Sequence, residues 1–212
     1  TLSTGQEAQK DGFDFFAGRI GLKAKAFDAI KLGSPFDYEQ QVTIYIEKDL
    51  PNPNDPQFIA RAAEAIKTYL TKTDGRAFVL FTSYRMLNQM VNELEDWLFK
   101  EHVTLLKQGG ALDRSTLLKR FKEEGRHVLF GTDSFWQGVD VPGDALRNVM
   151  IVRLPFAVPD QPLLAGRLEQ IREQGGNPFF DYQLPSAIIK FKQGFGRLVR
   201  TKTDTGIVVI LD

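Results

Sequence analysis

The stretch KFKQGFGRLVRTKTDTG, Lys190 to Gly206, sets Gln193, Arg197 and Arg200 at positions i, i+4 and i+7. If Pro185 to Arg200 is helical, all three side chains project from one stripe. Like charges at that spacing repel, and Gly194 and Gly196 each weaken a helix interior by about 1 kcal/mol relative to alanine. Local stability therefore does not account for the pattern. An anion does: two planar guanidinium forks suit a polyphosphate, and small residues between them let another surface approach. Glutamine adds a neutral contact for a water or a phosphate oxygen. The competing account is ordinary ion pairing of these arginines with Asp204 or Glu169.

The background is that of a soluble globular chain. Of 212 residues, 42% are hydrophobic and 25% charged, so a real core can form, and one compact unit is expected. No apolar run approaches the ~20 residues that span a bilayer, so no membrane segment is expected. Twenty-seven basic residues balance 27 acidic ones, and any anion site must be built locally. There is no cysteine, and only His102 and His127 offer imidazoles, each beside a predicted strand without a partner at metal-ligand spacing. No metal site is expected. The opening TLSTGQEAQK lacks an apolar signal core, which suits a cytoplasmic protein and, equally, a fragment of a longer one.

Short β-branched or aromatic runs predict strands at Gln41 to Ile46, Ala77 to Thr82, His127 to Thr132, Asn148 to Leu154 and Gly206 to Asp212. HVTLLKQG, from His102, is a weaker sixth. Amphipathic segments between them predict helices at Asp55 to Thr71, Arg85 to Lys100, Arg114 to Glu124, Pro162 to Glu173 and Pro185 to Arg200. Ser83 and Asp113 stand where helix caps belong, and Asp160 lies near the start of the fourth helix. Apolar strands alternating with helices imply an α/β fold of three layers, a mostly parallel central sheet flanked by helices. In such sheets ligands gather in the loops at strand ends, here after Thr82, Thr132 and Leu154 and before Gly206. Phe156, Phe179 and Phe180, in Pro/Gly-rich loops, are expected to plug the core.

These motifs resemble those of a family. QGFGRLVRTKTDTG is similar to motif VI of superfamily 2 DNA helicases in the form shared by the DinG and XPD-like branch. GTDSFWQGVDVPG, Gly131 to Gly143, resembles its motif V, FVLFTSYRML, Phe78 to Leu87, its motif IV region, and RLPFAVPDQP, Arg153 to Pro162, the segment between V and VI in DinG-like proteins. The resemblance implies that residues 41–212 form the second RecA-like lobe of a helicase and residues 1–40 a leading segment packed on it. No Gly-Lys dipeptide of a phosphate cradle and no D-E-A-H-like acidic pair is present. ATP and Mg2+ would then be held mainly by a first lobe absent from this sequence, and none is expected to bind tightly here.

By the same resemblance Arg197 and Arg200 would be catalytic arginine fingers, with Gln193 lining the cleft and Gly138 and Asp140 near the nucleotide; alternatively Asp140 caps a turn. Thr132 and Ser134 would lie near the backbone of single-stranded DNA, as would Thr82, Ser83, Tyr84 and Arg85 at the end of a strand. Phe135 and Trp136 either stack on a base or fill the core, Trp136 being placed with the nucleic-acid residues and Phe135 in the core. The expected partners are the first lobe and single-stranded DNA. A reading of another class makes the chain a non-catalytic RecA-like module that binds nucleic acid or protein, for which clustered guanidinia have no evident use.

Overall fold

The computed structural model describes residues 13–22, 28, 30, 33–136, 138, 139, 141, 143–158 and 161–212; Asp140 and Asp160, singled out above, lie outside the described residues. The chain runs through α1 (Asp14–Arg19), α2 (Tyr38–Gln41), β1 (Val42–Ile46), α3 (Phe58–Lys72), β2 (Ala77–Leu80), α4 (Tyr84–Lys100), β3 (Thr104–Lys107) and α5 (Arg114–Phe121). It continues through β4 (His127–Gly131), β5 (Asn148–Ile151), α6 (Pro162–Glu173), α7 (Leu184–Phe195) and β6 (Gly206–Ile210), with a π-helix at Phe179–Gln183.

Six strands pair in the order β1-β6-β5-β2-β4-β3, every pairing parallel. The weak sixth candidate is thus a true strand, β3. It is an edge strand, and its mixed burial explains why its pattern is faint beside the fully buried β2 and β5.

One sheet face carries Ala77 and Val79 of β2 and Phe81 just after it, with Val128, Phe130, Met150, Val152 and Val209. These pack under α3 and α4, which bury Phe58, Ile66 and Leu70 and Leu87, Met90 and Leu94 at helical spacing. On the other face Phe78 meets Phe121 of α5 with ring centroids 4.6 Å apart. Phe135 lies so close over Gly131 that a Cβ there would stand 2.6 Å from the Cβ of Phe135. Helices on one face and α5 with the Phe135 segment on the other make the three layers.

Ser83 caps α4 by accepting from the N–H of Met86 at 3.3 Å, and Asp113 caps α5 by accepting from the N–H of Thr116 at 2.8 Å. The Thr116 N–H, with the Ser115 hydroxyl, holds the Asp113 carboxyl below its ordinary value.

The chain falls into two compact units, Thr1–Ser34 with Pro155–Gln193, and Pro35–Leu154 with Gly194–Asp212. All six strands belong to the second. In the first, the expectation that Phe156, Phe179 and Phe180 plug the core is corrected: they are 36, 42 and 61% exposed. Phe156 stacks on Phe179 at 5.7 Å and Phe179 meets Phe180 edge-on at 5.3 Å, so the rings shield one another at the surface. Among the described residues no helix is long and apolar enough to cross a membrane.

Candidate functional site

Because β2, β4 and β3 are parallel neighbours, their carboxyl ends share one edge of the sheet. Thr82 and Ser83 follow β2, and Tyr84 and Arg85 open α4; Ser83, Tyr84 and Arg85 are exposed. Thr132 and Ser134 follow β4, and Gln108 follows β3. Gln108 ties the three ends together. Its Nε2 donates to Tyr84 Oη at 2.6 Å and to Ser134 Oγ at 3.0 Å, and its Oε1 accepts from Thr132 N at 2.7 Å and Thr132 Oγ1 at 3.0 Å. Thr132 is buried behind this knot, whereas Ser134 and Tyr84 face outward. Gln108 was not among the residues expected from the sequence. Its only signal is its place just after the faintest strand, ahead of Gly109 and Gly110.

Trp136 requires a correction. It is fully buried, with its indole N–H donating to the Phe81 carbonyl at 3.2 Å, so its ring belongs to the core and not to a base-stacking surface. Phe135 is buried as expected. An indole beside a strand end satisfies its one donor on the nearest main-chain carbonyl and gives its large apolar face to the sheet.

The stripe of arginines also changes. α7 ends at Phe195, and the chain turns there, with the N–H of Leu198 bonded to the Phe195 carbonyl at 2.9 Å. Gly194 is needed at this end because a Cβ would lie 2.9 Å from the Trp136 ring. Arg197 and Arg200 therefore sit in the following turn and not on a helical ridge. The Asp204 carboxylate shapes that turn by accepting from the N–H of Arg200 at 2.8 Å and of Thr201 at 2.9 Å. Gln41, just before β1, donates to the Thr201 and Asp204 carbonyls at 2.9 and 2.8 Å. Gln193 lies half-buried on α7, in the first of the two units.

Arg197 is 3% exposed and donates to the carbonyl of Phe135. Arg200 donates to the carbonyl of Val139 at 3.3 Å and is exposed as a residue. A third guanidinium, unexpected from the sequence, joins them: Arg114, the first residue of α5, donates to the carbonyl of Gly138 at 2.9 Å and lies over the Phe135 ring at 5.6 Å. Three cations thus converge on the carbonyls of Phe135, Gly138 and Val139, where Gly138 takes a left-handed φ of 63° that favours glycine. Burial, then the charges of Arg200 and Arg114, lower the Arg197 pKa to about 10, leaving it charged at neutral pH. Negative charge placed beside this cluster would relieve that strain. Among the described residues no group of His, Cys, Asp and Glu is arranged to hold a metal ion.

A family model for the helicase C-terminal domain matches residues 66–212. The ATP-dependent DNA helicase YoaA of Haemophilus influenzae is 42% identical over 200 residues, covering 94% of this chain and 30% of that protein. The 3'-5' exonuclease DinG of Bacillus subtilis is 39% identical over 204 residues, covering 94% of this chain and 22% of that protein. The chain thus spans less than a third of the length of these relatives. Among solved structures an XPD helicase aligns with a TM-score of 0.60 at 18% identity, over 80% of this chain and 31% of that one. At that identity the likeness concerns the fold, which is the three-layer RecA-like lobe.

Proposed function

Since this chain belongs to the helicase C-terminal domain family, we propose that it is the second motor lobe of an ATP-driven DNA helicase of the DinG type. Its arginines would act on ATP held with Mg2+ by a first lobe, and its strand-end groups would grip the backbone of single-stranded DNA. The observation that carries this reading is the meeting of Arg197 and Arg200 on the carbonyls of Phe135 and Val139. That same segment is tied through Ser134 to the strand-end knot of Gln108, so one short stretch joins a cationic cluster to a hydroxyl-lined edge.

Phosphoryl transfer needs little beyond positioning and neutralisation of charge spread over the γ-phosphate oxygens. Arg200, exposed in its turn, is the finger that reaches those oxygens first when the lobes close. Arg197 follows by exchanging the neutral carbonyl of Phe135 for an anionic oxygen, an exchange its burial among like charges favours. Gly138 would lie near the nucleotide in this reading, and Gln193 would line the same cleft. Loss of the γ-phosphate removes the anion that holds both arginines, and the lobes part. At the other end Ser83, Tyr84, Arg85 and Ser134, with Thr82, meet phosphates without reading bases, so binding would be independent of sequence.

In the full-length protein Arg200→Ala and Arg197→Ala are expected to lower ATP turnover by about 10³-fold or more, with single-stranded DNA affinity nearly unchanged. Because Arg197 is buried, Arg197→Lys and a melting curve accompany it, separating lost chemistry from lost packing. Near-normal turnover in both alanine variants overturns the finger assignment.

A further inference from the structure

The bonds of Gln108 decide which way the protons of its neighbours point. A backbone N–H can only donate, so the 2.7 Å contact from Thr132 N identifies the atom facing it as the amide oxygen. The Thr132 hydroxyl reinforces that orientation at 3.0 Å. The amide nitrogen must then face Tyr84 Oη at 2.6 Å and Ser134 Oγ at 3.0 Å. An amide nitrogen cannot accept a hydrogen bond, so both hydroxyl oxygens accept from it, and both hydroxyl hydrogens are left to point elsewhere. Tyr84 is 47% exposed and Ser134 is exposed, so elsewhere is outward. Gly109, at φ 85°, lets the tyrosine lie against the turn, since a Cβ there would stand 3.1 Å from Tyr84 Cε1.

We propose that Gln108 is the positioning residue of a phosphodiester-binding site, its amide turning the hydroxyls of Tyr84 and Ser134 outward as a pair of donors for one backbone phosphate. The inference rests on the nucleic-acid reading above and adds the residue that sets the polarity of the site. Two outward O–H donors suit an anionic oxygen, and Arg85, exposed on the first turn of α4, adds charge of the matching sign. No base edge is needed, so any strand with a phosphodiester backbone fits.

The test is Gln108→Glu in the full-length protein, read by binding of an oligo-dT strand. A glutamate of the same shape still accepts from the Thr132 N–H. Its second oxygen, however, accepts where the amide donated, which turns both hydroxyl hydrogens inward and adds a negative charge. The expected result is about a tenfold or greater rise in Kd at low salt, narrowing as salt is raised, with an unchanged melting temperature. Combining Gln108→Glu with Tyr84→Phe and Ser134→Ala should cost less than the sum of the separate losses. If Tyr84→Phe with Ser134→Ala weakens binding while Gln108→Glu binds as the parent does, the role of Gln108 is overturned and the nucleic-acid reading stands. If neither weakens binding, the proposal is overturned. Should Gln108→Glu fail to fold, Tyr84→Phe and Ser134→Ala carry the test singly. Unchanged affinity in both overturns the proposal, and a loss in Arg85→Ala then keeps the wider reading.

Discussion

Glycines show how differently one residue type can behave within one chain. Gly131 lies beneath Phe135, where a Cβ would stand 2.6 Å from the Cβ of that residue, while Gly166, inside α6, has nothing within 4 Å of the same point. Gly131→Ala should therefore destabilise by about 1–3 kcal/mol through overpacking. Gly166→Ala should stabilise by roughly 0.5–1 kcal/mol through helix propensity and a less flexible unfolded chain. Denaturant titration of the two variants checks both signs. Neither outcome is legible in the sequence, where each is simply a glycine between one apolar and one polar residue. The same holds for Trp136, which sits in a loop-like motif yet is fully buried because its indole N–H finds the Phe81 carbonyl.

At the scale of elements, the turn after α7 has its own pH dependence. Burial alone would raise the Asp204 carboxyl, but the Thr201 hydroxyl and the N–H groups of Arg200 and Thr201 outweigh it and hold the pKa below the ordinary 3.8. A carboxyl whose folded pKa is depressed stabilises the fold fully above its unfolded value, and that contribution is lost as pH falls through the folded value. The turn carrying both arginines should thus loosen only in acid, below the ordinary carboxylate range. Amide exchange at Arg200 and Thr201 followed downward in pH would show it, and Asp204→Asn should remove the acid step while weakening the turn at neutral pH. The helices α3 and α4 were legible because one buried face imposes a repeat on neighbouring residues, and the central strands because burial on both faces imposes a continuous apolar run. The need for glycine near the end of α7 was not, since a Cβ at Gly194 would stand 2.9 Å from the ring of Trp136, a residue far away in the chain.

For the whole molecule, the proposed division of labour predicts that this chain alone, given ATP and single-stranded DNA, shows no turnover above background; substantial hydrolysis would defeat the two-lobe proposal. The order of the elements, the parallel class of the sheet and the membership in a helicase domain family were all determined by the sequence itself. They rest on periodicity and motif order, which are local and survive without knowledge of contacts. Only the tertiary structure decided that Gln108 meets Tyr84 across 24 residues and that Arg197 meets Phe135 across 62. It alone also brought Arg114 to the same segment as both motif arginines. Such meetings depend on which strands become neighbours and on where each buried donor finds an acceptor. That is a property of the packed sheet, and no short window of sequence encodes it.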